Sequence, residues 1–397
     1  MARAREPLFA GLSRNTGLLA LSSLFSDIST EMLYPVLPVF LTQTLGAGGA
    51  VVGLVEGVAQ ATQNIVQGFS GSLSDRMARR KPIALVGYAL SALSKPLIGL
   101  SGSWAGVLGA RFMDRLGAGS RSAPRDALVA ASAHEDHRGK AFGLEGAGDN
   151  AGAFIGPLIA VALISWAAID LRWIFYLAVI PGLIAFLLVT LVTERPAAAE
   201  AKAKLDVSPA RLPGGYRRYL IATAIFGLGN SSNAFLILET RALGASLATT
   251  ILIYAGFNLA AAVVSYPAGW LSDRLGRRNL LLGGQVLFFV AYLGFGLSRD
   301  LALIGAMFGL YGVFQGVFRA VGKALAADLA PPPLRASGIG WYSATVGVSG
   351  LLASLAAGLL WDHVGHAAVF VYAAAFAAIG IVAVLTLVPV KTHPGRA

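Results

Sequence analysis

One sequence pattern occurs twice in this chain, and its spacing constrains the fold more than any other feature. The stretches 71–81 and 269–279 both begin G-x-L-S-D-R-x-x-R-R, and they start 198 residues apart in a chain of 397. Each copy lies between two long apolar runs. Residues 45–47 return as 243–245, and Arg121 returns as Arg319, at the same offset. A repeat separated by half the chain length indicates two copies of one structural unit.

The composition is typical of a membrane protein. Hydrophobic residues make up 56% of the sequence and charged residues only 13%, whereas a soluble domain carries about 25% charge. The 48 glycines suit helices that approach each other closely in a bilayer. The chain has no cysteine, which excludes disulfides and thiolate metal sites. The first apolar run is too long for the core of a signal peptide and is interpreted as a membrane span.

The net charge of +11 is distributed in a way that indicates topology. Of the 31 lysines and arginines, 25 fall at the N-terminus, in alternate connections or at the C-terminus. Arg172, Arg241 and Arg299 fall in the other set of connections. This positive-inside pattern predicts a multi-pass protein of the bacterial cytoplasmic (inner) membrane with both termini in the cytoplasm. It explains the basic charge without a nucleic-acid partner.

The apolar runs predict an all-α membrane protein with 12 transmembrane helices, because each run has about the 20 residues that a helix needs to cross the hydrocarbon. The predicted limits of spans 1 to 12 are 16–42, 48–72, 83–101, 104–123, 140–166, 172–193, 218–240, 247–271, 280–298, 302–323, 337–360 and 367–389. Residues 194–217 are polar, basic and proline-containing, and are interpreted as a cytoplasmic linker. The linker separates an N-terminal six-helix bundle, residues 1–193, from a pseudo-symmetric C-terminal six-helix bundle, residues 218–397.

The loop motif repeated between spans 2 and 3 and between spans 8 and 9, in a chain of six plus six spans, resembles that of the major facilitator superfamily. The resemblance covers almost the whole chain. It implies two bundles that face a central cavity and rock to expose it to either side. Residues 111–119 in span 4 and the G-x-x-x-G-P run at 152–157 in span 5 are similar to signatures of the 12-span drug/proton antiporter branch. Asp114 and Arg115 stand where that branch has Gln and Gly.

Acids at membrane depth are costly, so each one is a candidate functional group. Asp27 and Glu31 in span 1 are four residues apart and share one helix face. Two carboxylates that close in a low dielectric cannot both ionise cheaply, so one is expected to hold a proton near neutral pH. We predict that this pair couples transport to protons, with Glu56 nearby, Arg111 as the cation that favours release, and Asp114 as the next candidate. Arg111 has an alternative interpretation, as a structural partner of Glu56 or Asp114.

Polar residues within the spans predict a substrate cavity. Span 2 carries a stripe of glutamines that lipid would not tolerate, so it faces protein or water. Tyr254 and Asn258 of span 8 match Glu56 and Gln60 at the 198-residue offset, and the two stripes are predicted to face each other. The predicted cavity residues are Tyr34, Gln60, Gln63, Asn64, Lys95, Asp149, Asn150, Asn230, Asn233, Tyr254, Asn258, Gln315 and Tyr342. For Lys95 the alternative is again a structural ion pair, and for Asp149 and Glu145 it is pairing with Arg121 or Arg138.

The duplicated loops predict a gate on the cytoplasmic side. Asp75 and Asp273 come at the ends of spans 2 and 8, and each is followed by three arginines. A carboxylate there can accept from the N-terminus of a facing helix and pair with guanidinium groups. The predicted gate residues are Asp75, Arg76, Arg79, Arg121, Arg125, Asp273, Arg274, Arg277, Arg319 and Lys323.

Together these features predict a proton-coupled secondary active transporter that exports a drug or metabolite in exchange for protons by alternating access. The alternatives are a proton symporter that imports an organic nutrient or metal chelate, and a membrane sensor that does not transport. The chain lacks a phosphate-binding loop and a covalent catalytic constellation, so we expect neither an ATP-driven pump nor an enzyme. No metal or cofactor is expected besides the proton gradient. The expected partners are a small organic substrate, protons and the lipid bilayer, and the expected state is a monomer.

Overall fold

The structure is a computed structural model that describes residues 13–76, 80–133, 138–167, 169–194, 212–331 and 334–388. The side chains of residues 71–76, 138–139, 273 and 335–336 lie outside the described part. The described residues form helices and no β-strand. This follows from the apolar sequence, because a helix satisfies its backbone hydrogen bonds internally where no water is present.

Spans 1 to 6 form the first half. Span 1 is Arg14–Leu33, continued after a short break by Leu37–Val39 and a π-helical turn, Phe40–Thr44. The break coincides with Pro35 and Pro38, since a proline has no backbone N–H to donate to the preceding turn and its ring crowds that turn. The remaining helices are Gly49–Arg76 (span 2), Lys81–Leu100 (span 3), Trp104–Ala131 (span 4), Arg138–Trp166 (span 5), and Leu171–Leu177 with Val179–Thr190 (span 6).

Spans 7 to 12 form the second half. Span 7 is also broken, and its break at residues 228–233 overlaps the break in span 1 at the 198-residue offset. The residues of that break are rich in Gly, Asn and Ser, which favour turns over helix. The helices are Gly214–Gly227 and Ala234–Ala242 (span 7), Leu247–Leu275 (span 8), Arg277–Leu297 (span 9), Leu301–Leu329 (span 10), Arg335–His363 (span 11) and His366–Leu387 (span 12).

Several helices begin where the sequence supplies an N-cap. Ser13, Ser103 and Ser246 each accept a hydrogen bond from a backbone N–H in the first turn of the helix that follows. Asp170 and Asp300 do the same for spans 6 and 10. Such side chains satisfy donors that a helix leaves free at its start, which fixes where these helices begin.

Spans 4 and 10 are longer than the sequence predicted. They were expected to end at residues 123 and 323, but they continue to Ala131 and Leu329. Hydropathy stops being informative where one face of a helix turns toward a polar cavity, because the helix continues although its sequence looks like a loop. Arg125, which follows the predicted end of span 4, is therefore part of that helix. Arg121, Arg319 and Lys323, predicted at or near the ends of their spans, lie one to three turns inside the helices.

Nine helices in the described part of the chain are long and apolar enough to cross a membrane. The other three spans are 2, 4 and 7. Span 2 carries the glutamine stripe, span 4 carries buried charges, and span 7 is divided into two short helices. These polar or broken spans meet the central cavity, where protein and water replace lipid.

Glycines let the two halves meet along spans 2 and 11. A Cβ at Gly358 would lie 2.7 Å from Ala50 Cα, and a Cβ at Gly68 would lie 3.0 Å from the carbonyl oxygen of Gly340. Within the first half, Gly148, Gly152 and Gly156 of span 5 pack directly on the backbone of span 1. The repeated glycine spacing in span 5 thus serves close packing, as small residues do between membrane helices.

The loops lie on two faces of the helical bundle. We call the face that carries residues 13 and 388 the terminal face, and the opposite face, with the loops at 45–48, 243–246 and 364–365, the distal face. On the distal face, Asp362 of span 11 accepts hydrogen bonds from the backbone N–H groups of Gly49 at 2.7 Å and Ala50 at 2.8 Å, at the start of span 2. The two halves are therefore tied together on this face.

Candidate functional site

A cavity of about 450 Å³ lies between the two halves. Spans 1, 2, 4 and 5 provide its wall in the first half, and spans 7, 8, 10 and 11 provide its wall in the second. It extends from Tyr34 and Ser354 toward Arg125 and Lys323, which lie nearer the terminal face. The volume is that of a site for a small organic ligand.

The cavity wall contains most of the predicted cavity residues. Those on the wall are Tyr34, Gln60, Gln63, Asn64, Asp149, Asn230, Asn233, Tyr254, Gln315 and Tyr342. The predicted residues that do not line this cavity are Lys95, Asn150 and Asn258. Lys95 is 1% exposed and belongs to a buried ion-pair network. Asn258 is occupied by hydrogen bonds behind the wall.

Glu31 bridges the two halves. One of its carboxylate oxygens accepts hydrogen bonds from the Tyr254 hydroxyl at 3.0 Å and from Asn258 Nδ2 at 3.3 Å, both on span 8. The Asn258 amide also donates to the carbonyl oxygen of Ala153 in span 5 at 3.0 Å. Tyr34 stacks on Tyr254 with ring centroids 5.5 Å apart. Glu31 thus sits where a change of its charge alters bonds between the halves.

Asp27 lies one helical turn below Glu31 and also lines the cavity. Its carboxyl group adjoins that of Asp149 on span 5. Asp149 lies 3.8 Å from Arg125, and Glu145 lies 3.0 Å from the same guanidinium. In the described part of the chain these span 5 acids pair with Arg125 and not with Arg121. The side chain of Arg138 lies outside the described residues, so pairing with it stays a prediction. Sequence spacing shows that Arg121 and Arg125 share a face of span 4. It does not show which of them contacts the acids of span 5.

A buried network of ion pairs connects spans 2, 3 and 4. Arg111 donates to Glu56 Oε1 from Nη2 at 2.7 Å and from Nε at 3.0 Å, and to Asp114 Oδ2 at 3.1 Å. Lys95 Nζ lies 3.3 Å from Asp114 Oδ1. Arg115 lies 2.8 Å from Asp114 Oδ2. These five residues are at most 8% exposed, and three bases surround two acids.

This network does not match the predicted proton site. Glu56 was expected near Asp27 and Glu31, with Arg111 favouring proton release from that pair. Arg111 instead binds Glu56 and Asp114, and neither Glu56, Arg111 nor Asp114 lines the cavity. The alternative interpretation of Arg111 and Lys95, as structural partners of the two acids, fits the observed contacts. Arg115 is the link to the cavity, because it also donates to Gln63 Oε1 at 2.9 Å.

The polar stripes of spans 2 and 8 do not face each other as predicted. Span 2 packs on span 11, and span 8 packs against span 5. The 198-residue offset correctly relates the two stripes, but related positions in two bundles need not be in contact. Tyr254 and Asn258 reach Glu31, whereas Gln60 and Gln63 form another part of the cavity wall.

The predicted gate lies partly outside the described part of the structure. Arg79 is in a segment that is not described, and the side chains of Asp75, Arg76 and Asp273 are not described either. Their gating role stays a prediction. Arg277 pairs with Asp328 at the end of span 10, with a distance of 3.0 Å, and Arg274 lies over the ring of Trp270.

The remaining gate residues lie on the cavity wall. They are Arg121, Arg125, Arg319 and Lys323. Arg319 and Lys323 place two positive charges of the second half on this wall. The signal that could have found them is their spacing from Gln315, since residues 311, 315, 319 and 323 follow one helix face at intervals of four.

The cavity also has wall residues that the sequence did not single out as ligand contacts. Thr223, Ser343 and Ser354 contribute hydroxyl groups, and Phe318 contributes an aromatic ring. Isolated serines and phenylalanines in apolar helices carry no distinguishing pattern. The described residues contain no group of three or more His, Cys, Asp or Glu side chains that could hold a metal ion.

Sequence comparison identifies full-length relatives. An uncharacterised MFS-type transporter of Methanocaldococcus jannaschii is 33% identical, covering 88% of this chain and 89% of that protein. A probable 4-methylmuconolactone transporter of Cupriavidus pinatubonensis is 28% identical, covering 82% and 79% of the two chains. The multidrug resistance protein MdtH of Photorhabdus laumondii is 27% identical, covering 85% and 84%.

Structural comparison supports the fold. The crystal structure of the nucleoside transporter NupG superposes with a TM-score of 0.78 at 14% identity, covering 96% of this chain and all of that one. The predicted fold of two six-helix bundles is therefore confirmed. The model of the Major Facilitator Superfamily matches residues 19–218 and 219–397. The duplicated loop motif, the two related halves, the central cavity and these matches lead to one conclusion: the chain belongs to the Major Facilitator Superfamily of membrane transporters.

Proposed function

We propose that the protein is a proton-coupled secondary active transporter that moves a small organic molecule across the membrane by alternating access, with Glu31 as the coupling group. The observation that carries the proposal is the position of Glu31. It faces the cavity from the first half, and it accepts hydrogen bonds from Tyr254 and Asn258 of the second half.

Protonation of Glu31 would change the bonds between the halves. An ionised carboxylate only accepts hydrogen bonds, while a protonated one has a donor and has lost its charge. The charge-assisted bonds to Tyr254 and Asn258 would therefore weaken when Glu31 takes up a proton. A group that binds a proton differently in two conformations shifts the population between them. Asp27, Arg115 and Arg319 line the same cavity as Glu31, so their charges contribute to the electrostatic potential at this proton site.

The direction of transport depends on the charge of the substrate. A cationic or neutral substrate that competes with the proton at Glu31 would be exchanged for it, which gives export of a drug or metabolite as the sequence analysis expects. An anionic substrate would instead favour the protonated carboxyl and travel with the proton. The second candidate, import by proton symport, is favoured by the cations Arg319 and Lys323 on the cavity wall. The named relatives include both a multidrug resistance protein and a probable transporter of a lactone.

We further propose that the terminal face is cytoplasmic, that the protein acts as a monomer in a bacterial inner membrane, and that the proton gradient replaces any cofactor. The basic residues crowd into the connections of this face, as the positive-inside rule requires of a cytoplasmic side.

The proposal is tested with Glu31→Gln, which removes the charge at nearly constant volume. A ligand is first found as a compound that raises the melting temperature of the purified protein. In liposomes with an imposed pH gradient, the wild type should accumulate or expel this ligand against its concentration gradient. The Glu31→Gln protein should bind the ligand and exchange it passively, but lose uphill transport.

The matched control is Asp300→Asn, which removes a carboxylate that caps span 10 on the distal face, far from the cavity. Asparagine also caps helices well, so uphill transport should persist in this variant. Uphill transport by Glu31→Gln at the wild-type rate would show that the coupling group is elsewhere, with Asp27 or Asp149 to be tested next.

A further inference from the structure

Two pairs of cations occupy equivalent positions in the two halves. Arg121 and Arg125 lie on span 4, and Arg319 and Lys323 lie 198 residues later on span 10. All four line the cavity. The pairs have the same spacing of four residues, so each presents two positive charges on one face of its helix.

The pair in the first half is satisfied by its neighbours. Arg121 donates to the Ser26 hydroxyl and lies over the ring of Tyr88, 4.5 Å from its centroid. Arg125 lies 3.0 Å from both Glu145 and Asp126. These cations are thus held within their own half.

The pair in the second half lacks those partners. At the 198-residue offset, Ser26, Tyr88, Asp126 and Glu145 correspond to Ala224, Val286, Ala324 and Ser343. The second half therefore has the two cations at the equivalent positions, but none of the acids and not the tyrosine that contact them in the first half. Within the described part of the chain, neither Arg319 nor Lys323 has a carboxylate within ion-pair distance. Both side chains are exposed, although their helix is a membrane span.

We propose that Arg319 and Lys323 form the anion subsite of the transporter, and that its substrate is an organic anion with an apolar or aromatic body. A carboxylate, sulfonate or phosphate between the two cations would restore the neutralisation that acids provide in the first half. Guanidinium and ammonium groups bind such anions through charge-assisted hydrogen bonds. The wall next to this subsite is aromatic, since Tyr311, Phe318 and Tyr342 line the same cavity.

The charges of the whole cavity wall favour an anion over a cation. Its bases are Arg115, Arg121, Arg125, Arg319 and Lys323, and its acids are Asp27, Glu31 and Asp149. Two of the acids are already engaged, because Glu31 accepts from Tyr254 and Asn258 and Asp149 lies near Arg125. A low-dielectric cavity with excess positive charge concentrates anions. An organic cation would meet repulsion from span 10.

The proposal specifies the sign of coupling, and in this it rests on the proposed function of Glu31. Arg319 and Glu31 line the same cavity, one from the second half and the other from the first. An anion bound at Arg319 offsets that positive charge and adds a negative one, so Glu31 then takes up a proton more readily. By linkage, the proton favours anion binding to the same extent. Substrate anion and proton therefore load together, as in symport.

The test uses matched probes on one skeleton: 1-naphthoate and 1-naphthalenesulfonate as anions, 1-naphthamide as the neutral analogue, and 1-naphthylmethylamine as the cation. A second series uses phenylacetate, phenylacetamide and phenethylamine. Binding to the purified full-length protein is measured by the shift in melting temperature and by titration calorimetry. We expect the anions of at least one series to bind about tenfold or more tightly than the neutral and cationic analogues.

Arg319→Gln and Lys323→Gln should each abolish the preference for the anion, while Arg218→Gln, an exposed arginine at the start of span 7, should keep it. The proposal is overturned if the neutral or cationic analogues bind as well as the anions in both series, or if no anion binds. It is also overturned if both variants retain the preference while losing transport, which would make the two cations gate residues only.

The anion subsite and the coupling role of Glu31 can fail separately. Anion preference is a binding property and should survive in Glu31→Gln, whereas uphill transport should not. An unchanged preference with uphill transport retained in Glu31→Gln would remove Glu31 from the mechanism and leave the subsite standing. If instead Glu31→Gln loses proton-driven transport and the wild type shows no preference for anions, Glu31 keeps its coupling role and the anion subsite is rejected.

Discussion

The two halves of the molecule have the same helices in the same register but differently built interiors. In the first half an ionic network lies between spans 2, 3 and 4. In the second half, Glu56, Lys95, Arg111 and Asp114 correspond to Tyr254, Leu293, Gly309 and Gly312. Aromatic rings fill the second interior, with Phe288 stacked on Tyr292 at 4.0 Å and packed edge-on against Phe314 at 5.0 Å.

This difference separates the requirements of the fold from those of function. Each half packs its helices at glycines of its own, for example Gly148 on the backbone of span 1 and Gly316 on that of span 8. Close packing of this kind suffices for a six-helix bundle. An ionic interior is not needed for the fold, because the second half does without it. Buried charge costs free energy in a membrane. The network of spans 2, 3 and 4 has no counterpart at the equivalent positions of the second half, which indicates that it positions the cavity wall of the first half. Arg115 connects the ionic network to the cavity wall, because it donates a hydrogen bond to Gln63.

The largest expected effect comes from removing the centre of the ionic network. Asp114→Asn takes away the carboxylate that Lys95, Arg111 and Arg115 share. It leaves three buried cations with Glu56 alone, and breaking one side of a buried ion pair typically costs about 3–5 kcal/mol. We expect a large drop in yield and in the melting temperature of the detergent-purified protein. Phe288→Leu in the aromatic interior should cost about 1 kcal/mol, which makes it the matched control from the other half.

A double variant distinguishes charge from packing. Lys95→Met combined with Asp114→Asn removes one of the uncompensated cations, so it should be less destabilised than the sum of the two single variants. Equal losses of stability in Asp114→Asn and Phe288→Leu, with additive behaviour of the double variant, would contradict the view that the first half depends on charge neutralisation.

The comparison of the halves also explains what the sequence could and could not predict. The twelve spans, the two bundles and the family follow from hydropathy and from the repeat, because both are properties of continuous segments. The partners of buried charges do not, since Arg111 could reach an acid on span 1 or on span 2 with equal plausibility from spacing alone. It binds Glu56 of span 2.

Helix ends were a second source of error, with consequences for the site. Arg319 and Lys323 were predicted at the very end of span 10 because the sequence after them is less apolar, and the structure places them inside a helix that continues to Leu329. A polar stretch at the end of an apolar run has two interpretations, a loop or a helix face that meets a polar cavity. The period of four from Tyr311 to Lys323 favours the second, and hydropathy alone ignores that period.

Two glycines at equivalent positions provide a smaller and more direct comparison. Gly152 of span 5 and Gly350 of span 11 are 198 residues apart. A Cβ at Gly152 would overlap the carbonyl oxygen of Leu24 and lie 2.8 Å from Asp27 Cβ, while a Cβ at Gly350 has its nearest neighbour, Asn230 O, at 3.9 Å. Gly152→Ala should therefore cost about 1–3 kcal/mol through overpacking, and Gly350→Ala should be neutral within about 0.5 kcal/mol. Melting temperatures of the two purified variants measure the difference.

Because Gly152→Ala would push span 1 away from span 5, it should also weaken proton-coupled transport by displacing Asp27. Gly146→Ala in the same span, where a Cβ would meet nothing within 4 Å, should leave transport near the wild-type level. Similar melting temperatures for the two variants would mean that spans 1 and 5 separate easily, and that the glycines of span 5 do not fix the position of the cavity acids.

The smallest effect concerns the one-sided contact on the distal face. Asp362 of the second half binds the N-terminus of span 2 in the first half, and its counterpart in the first half is Ile164. A carboxylate at a helix N-terminus contributes about 0.3–1 kcal/mol at an exposed site. Asp362→Asn should therefore leave the fold intact and shift the population toward a state open on the distal face by about two- to fivefold.

Spin labels on cysteines at the exposed positions Gln43 and Ala242 should report this as a larger fraction of long distances between the halves. Asp300→Asn is the matched control, because Asp300 caps a helix on the same face within a single half, and it should leave the distance distribution unchanged. If both variants lengthen the distances alike, the distal contact contributes only local helix stability. If only Asp362→Asn does, the bond between the halves is one of the terms that set the balance of alternating access.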